Sequence, residues 1–129
     1  MIPQETIVAL ATPSGAGAIA IIRLSGAGAI AIAAEVFQSV SGKDITKQKT
    51  HTLHLGHIID PSTSSGQAGK IYDQVLLSIF KGPNSYTGEN VVEISCHGST
   101  FIQQQIIQLL LRKGSKMAQP GEFTLRAFL

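Results

Sequence analysis

A chain of 129 residues with 43% hydrophobic and 14% charged side chains has the length and apolar content for one domain with its own core, burying roughly two-thirds of its unfolded surface. Ten Lys and Arg against eight Asp and Glu leave a net charge of +2, with the basic residues scattered, so charge alone gives little reason to expect nucleic-acid binding. The lone cysteine, Cys96, excludes an intrachain disulfide and favours a reducing, cytoplasmic setting.

In chain order, MIPQETIVALATP has no basic region ahead of its apolar stretch, so no signal peptide is expected, and no apolar run is long enough for a membrane span. Residues 6–12 are β-branched and apolar and predict a buried strand. Pro13–Gly17 predicts a turn, and Ala18–Leu24 a second strand rich in isoleucine. From Ser25 the alanine-rich run to Gly42 places Ile30, Ala34 and Phe37 at helical spacing, with Ser25 as its candidate N-cap. A polar connection follows. Leu53, Leu55, His57 and Ile59 then alternate with His54, Gly56, Ile58 and Asp60, a strand pattern. Pro61–Gly69 is a flexible loop by composition, and Ile71–Gly82 is the return strand of that hairpin.

Pro83–Glu89 is dense in turn formers, and Asn90–Gly98 predicts a strand. Ser99–Gly114 carries the strongest helical signal: a Ser or Thr cap, a stripe of Ile102, Ile106, Leu109 and Leu110, basic residues in the last turn and a closing glycine. SKMAQ is short and extended. After Pro120 a last helical segment begins and stops on Phe128 and Leu129, which leads us to expect a longer parent protein. The expected fold class is α+β, a mixed five-stranded sheet packed with two or three helices.

The octapeptide SGAGAIAI occurs at 14–21 and again at 25–32, and both copies contain Gly-x-Gly-x-x-Ala. A dinucleotide fingerprint needs a strand before it, a helix after it, and an acidic residue about twenty positions on. The first copy runs into a strand. The second fits locally, but Asp44 lies in a polar segment rather than at the end of an apolar strand. A hairpin turn and a helix cap account for the two copies without a cofactor. No Gly-x-x-x-x-Gly-Lys-Ser/Thr string is present.

Two charged residues stand out on apolar strands. Glu93 in NVVEISCHG shares a face with Val91, Ser95 and His97. Either that face is solvated, or Glu93 meets a donor, such as a ligand edge with two adjacent N–H groups. Arg23 in AIAIIRLSG either reaches water at a strand end or clamps a carboxylate or carbonyl. His97 is expected to be a structural hydrogen-bonder and Cys96 a buried, inert thiol. His51, His54 and His57 scatter over both strand faces, so no metal site is expected, and no catalytic triad signature is found.

Three strings, TIVALATPSGAGAIAIIRLSG, GPNSYTGENVVEISCHG and QPGEFTLRAFL, resemble the N-terminal region of the MnmE (TrmE) tRNA-modification GTPases. The resemblance covers nearly the whole chain apart from about Gln38 to Gly69. Its most specific part is Gly82–Glu89 followed at fixed distance by Glu93 and His97-Gly98. Departures are Pro13–Ala18, where family members often carry an arginine, and Cys96, at a position often polar.

The resemblance implies that residues 1–118 are a folate-binding and dimerisation domain similar to the folate-binding domain of the glycine-cleavage T-protein. Residues 119–129 would then start a helical domain, with the GTPase domain absent. It implies a homodimer that binds a one-carbon tetrahydrofolate such as 5-formyl-tetrahydrofolate. With the FAD-dependent partner MnmG (GidA), the full protein would help install carboxymethylaminomethyl groups on the wobble uridine of tRNA. GTP, Mg2+ and K+ would belong to the missing domain, which would carry the hydrolase activity. The family's folate-contacting arginine falls on Arg23 and its glutamate on Glu93, and a contacting lysine would lie just past Leu129.

Overall fold

The computed structural model describes residues 5–13, 15–61 and 70–127. The strands are β1 (Ile7–Leu10), β2 (Ile19–Ser25), β3 (Phe37–Ser39), β4 (Thr52–Asp60), β5 (Lys70–Phe80), β6 (Val91–His97) and β7 (Lys116–Met117). The helices are α1 (Ala29–Val36), α2 (Thr100–Arg112) and α3 (Glu122–Ala127), with one 3-10 turn at Ile45–Lys47. Among the described residues the strands form one mixed sheet in the order β3-β4-β5-β6-β2-β1-β7, antiparallel except for the parallel β1–β7 edge.

The α+β class is as expected, but the sheet has seven strands rather than five. The two additional strands are short edges. Phe37 falls on the helical stripe of the preceding alanine-rich run, yet the backbone leaves the helix there with φ −112 and ψ 128 and pairs Phe37 with Ile58. Lys116–Met117 becomes β7 because the Lys116 and Ala118 N–H groups find the carbonyls of Thr6 and Val8 at 2.9 Å. Two residues are too few for any alternation to show in sequence.

Ser25 is not the cap of α1. It is the last residue of β2, and the capping position is Gly28, whose N–H donates to Thr6 Oγ1 at 3.0 Å. Gly26 makes the turn between them at φ 144, a conformation L side chains rarely adopt, and a Cβ there would sit against Thr6. The second octapeptide thus turns before it starts a helix. The first lies between β1 and β2 with its end inside β2, and its Ser14 is outside the described residues. The expected loop at Pro61–Gly69, beyond Pro61 itself, and the terminal Phe128 and Leu129 are also outside them.

Helices α1 and α2 cover one face of the sheet. Ala20, Ile22 and Leu24 of β2, Val75, Leu77 and Ile79 of β5, and Val92, Ile94 and Cys96 of β6 meet Ala29, Ala33, Val36, Ile106, Leu109 and Leu110 in one core. Burying a Leu or Ile side chain contributes about 1.5–3 kcal/mol, and the α2 stripe offsets in this way the conformational entropy lost when the helix is ordered on the sheet. Ser99 caps α2 as expected, its Oγ accepting the Ile102 N–H, and Gly114 closes it at φ 113. Buried Gln103 reaches off the helix to donate to the Gly15 and Gly98 carbonyls at 3.1 Å, fixing the first octapeptide turn to the end of β6.

The alternation in β4 resolves against hydropathy. His54, Gly56, Ile58 and Asp60 face inward, while Leu53 and Leu55 are exposed at 60% and 41%. The inward face of β4 is not left unsatisfied. His54 Nε2 pairs with Thr52 Oγ1 at 2.9 Å, and burial, aided by the charge of Lys43, lowers its pKa, favouring the neutral ring. Asp60 accepts from Tyr72 OH at 3.2 Å.

Gly56 is where β3 comes closest: a Cβ there would overlap the Gln38 carbonyl and the Phe37 ring. Gly56→Ala is therefore expected to force β3 off the sheet edge and lower stability by about 1–3 kcal/mol in urea denaturation, whereas Gly42→Ala, which meets nothing within 4 Å, is expected to cost only the strain of its positive φ.

Candidate functional site

Among the described residues, the other face of the sheet is covered at one corner only. At the Ser25 end of β2, the Pro83–Glu89 loop and α3 close over it, and Ile7, Ser25 and Val91 are buried. Towards the Ile19 end the face is open.

Arg23 and Glu93 stand on the edge of that cover. Alternation on β2 sends Ile22 and Leu24 into the core and Arg23 outward, and alternation on β6 does the same for Glu93 between Val92 and Ile94. The register sets the two residues directly opposite each other. Arg23 Nε donates to Glu93 Oε2 at 2.8 Å, and Nη2 lies 2.7 Å from the same oxygen. Both bonds converge on one oxygen, so Oε1 stands outside the pair. The side chains are 26% and 24% exposed, so Glu93 meets a donor rather than open solvent, and that donor is Arg23. Small neighbours flank them in register, Ala9 on β1 and Ser78 on β5.

Two aromatic rings wall the pair. The Arg23 guanidinium carbon lies 5.2 Å from the ring centre of Tyr86, in the loop, and 5.7 Å from that of Phe123, in α3, both within cation–π range. The loop is shaped by a turn in which Gly88 N–H donates to the Ser85 carbonyl, by a short bond from Ser85 Oγ to the Glu89 carbonyl, and by Gly82 N–H donating to Asn90 Oδ1 at 3.0 Å.

Arg126 holds α3 down. Its side chain is 5% exposed and its Nη1 and Nη2 donate to Glu89 Oε1 and Glu122 Oε2, each at 3.0 Å. Ser25 Oγ donates to the same Glu89 oxygen at 2.9 Å and pairs with Thr87 Oγ1 at 2.7 Å. Tyr86 OH and Thr124 Oγ1 meet at 3.3 Å. Strand, loop and terminal helix are thus joined in one polar cluster beneath the aromatic wall. Sequence reading singled out Arg23 and Glu93 but missed Tyr86, Glu89, Phe123 and Arg126. The available signal was an arginine inside the apolar helical run TLRAFL, matched by an acidic residue closing the loop.

At the far end of the open face, His97 Nδ1 and N–H both meet Asp73, at 2.7 and 2.8 Å, as fits a structural hydrogen-bonder. A cleft of about 370 Å³ lies here, lined by Ile19, Leu55, Gln74, Leu76, Ser95 and His97 among others. Arg23 and Glu93 do not line it. Cys96 is buried, and burial, with Asp73 second, pushes its thiol up to about 11, so it is a poor nucleophile near neutral pH. Among the described residues no group of three or more His, Cys, Asp or Glu could hold a metal ion, and no helix is long and apolar enough to cross a membrane.

The fold and the site define an α+β domain with one sheet face packed by helices and a strand-borne arginine–glutamate pair at the corner of the other. The chain belongs to the family described as GTP-binding protein TrmE N-terminus, whose model matches residues 6–129. Among its relatives, the tRNA modification GTPase MnmE of Flavobacterium psychrophilum is 77% identical over the whole chain, and that of Flavobacterium johnsoniae 70%. The Moorella thermoacetica protein of the same name is 54% identical over 98% of the chain. The chain spans 26% of the length of each of these three.

Removing Arg126 would leave the Glu89 and Glu122 carboxylates without their cation in a mostly enclosed corner. Arg126→Ala is expected to destabilise the chain by about 1–3 kcal/mol, read in urea denaturation, with Arg126→Lys recovering only part because an ammonium cannot span both carboxylates as the planar fork does.

Proposed function

We propose that this chain is the folate-binding and dimerisation part of a tRNA-modifying GTPase, with Arg23 and Glu93 holding a one-carbon tetrahydrofolate such as 5-formyl-tetrahydrofolate. The observation that carries the reading is the placement of Glu93: a quarter-exposed carboxylate on a central strand, beside a cation and small neighbours. The aminopyrimidinone edge of a folate offers two adjacent N–H donors, which a carboxylate accepts with its two oxygens. Arg23 suits a ring carbonyl or the glutamate tail. The bound folate would supply the one-carbon unit, while this chain's residues bind and orient it.

In this reading residues 1–118 are the folate and dimer domain, similar to that of the glycine-cleavage T-protein, and 119–129 begin a helical domain. The relatives' name, tRNA modification GTPase MnmE, supports a role in tRNA modification; the resemblance in sequence extends the proposal to carboxymethylaminomethyl modification of the wobble uridine, in the cytoplasm, with MnmG as partner and with GTP, Mg2+ and K+ used by a separate GTPase domain. The rival reading as a dinucleotide-binding domain is disfavoured, because β2 runs antiparallel to both its neighbours and a doubly wound sheet needs parallel ones. A dimerisation module without a ligand is the other rival.

Titration with 5-formyl-tetrahydrofolate separates the two. Binding is expected, weakened about tenfold or more in Glu93→Ala by loss of a charge-assisted hydrogen-bonded edge. A flat titration both here and in the longer protein that includes the family's lysine after Leu129 would leave only the structural module.

Homodimerisation is supported by the exposed Ile19, Leu53, Leu55 and Leu76 on the open sheet face, an apolar surface of the kind that marks an interface. Leu55→Glu is expected to shift sedimentation from dimer to monomer without loss of helical circular dichroism. A dimer untouched by Leu55→Glu and by Leu76→Glu would place the interface elsewhere.

A further inference from the structure

The ligand-facing groups of the proposed folate site are already engaged. The Arg23 guanidinium is planar, presents two N–H groups to Glu93 and lies within cation–π range of Tyr86 and Phe123. An aminopyrimidinone ring contains the same unit, a planar guanidine whose two N–H groups point along one edge. The corner is built around that unit: Glu93 takes its edge, the rings border it, and Ala9 and Ser78 keep the neighbouring register positions small.

We infer that Arg23 occupies the ligand's own place as an internal stand-in, and that a planar cyclic guanidine binds by displacing it, with Glu93 taking its N–H edge and Tyr86 and Phe123 stacking on its ring. This rests on the folate reading and deepens it in two ways. It names Tyr86 and Phe123 as ring-binding residues. It also makes the site self-closed when empty, since the Glu93 carboxylate keeps a partner and the rings keep a planar cation between ligands. Displacement leaves Arg23 free to meet a carboxylate or carbonyl elsewhere on the same ligand, so one residue competes with the ring and then holds the rest.

The position of α3 also matters. Phe123 reaches the corner because Arg126, three residues on, is fixed to Glu89 and Glu122. The terminal segment is thereby part of the ring site, and displacing it removes one wall.

The test uses pterin, which has the guanidine edge and no glutamate tail, and lumazine, which lacks the 2-amino group, each followed by its own fluorescence on titration with the whole chain. Arg23→Ala, with Arg23→Gln as the variant that best preserves the strand, is expected to bind pterin roughly fivefold or more tighter than the unaltered chain, by removal of a partly exposed ion pair and its cation–π contacts. Phe123→Ala is expected to weaken pterin about tenfold through lost stacking, and lumazine is expected to bind none of them measurably.

If both Arg23 variants bind pterin equally or more weakly while the unaltered chain binds 5-formyl-tetrahydrofolate, the stand-in role is overturned and the folate reading survives. If neither pterin nor 5-formyl-tetrahydrofolate binds the unaltered chain or the Arg23 variants, the folate reading falls and this inference with it.

Discussion

The antiparallel pairing of β2 with β6, from Ile19 opposite His97 to Ser25 opposite Val91, is the constraint on which the rest of the structure depends. It joins segments about seventy residues apart in the middle of the sheet, so neither strand is an edge. One face of the pairing, through Ile22, Leu24, Val92 and Ile94, is the floor on which α1 and α2 pack. The other face brings Arg23 against Glu93. A slip of one residue in either strand would turn its charge into the core and its apolar set to solvent. The hydrophobic face therefore fixes the geometry of the polar one.

The corner around Arg126 shows how a charge is tolerated where water is scarce. Its side chain is nearly buried, yet two carboxylates and the Ser25 carbonyl surround it. Such a cluster contributes little net stability compared with apolar packing, because desolvation offsets the attraction. What it supplies is placement. It brings α3, six residues long among the described residues, against a loop made mostly of turn formers. The rings of Tyr86 and Phe123 gain their positions from this placement, not from a core of their own.

The inward set on β4 is a place where hydropathy misleads. Leu53 and Leu55 face out while His54, Gly56 and Asp60 face in. Gly56 faces in because Phe37 and Gln38 of β3 press on it, leaving no room for a side chain. His54 and Asp60 are accommodated by Thr52 and Tyr72. The leucines left outside, with Ile19 and Leu76, form the apolar surface that the proposed dimer would cover.

Much was determined by the sequence itself, because local signals of the right period were long enough to register. The cap, stripe and closing glycine of α2, the isoleucine-rich run of β2 and the alternation of β4 and β6 all lie within a dozen residues of chain. Arg23 and Glu93 stood out as charges on apolar strands. Only the tertiary structure decided that they face each other, since pairing across seventy residues leaves no local trace. It also decided that Phe37 leaves the helix for β3 and that Lys116–Met117 becomes β7, because an edge strand of two or three residues exists only when a neighbour offers its carbonyls. Ser25 was taken from the cap of α1 by Gly26 and drawn to Glu89. Phe123 and Arg126 became part of the site because a distant loop ends in a carboxylate that a buried guanidinium must pair with.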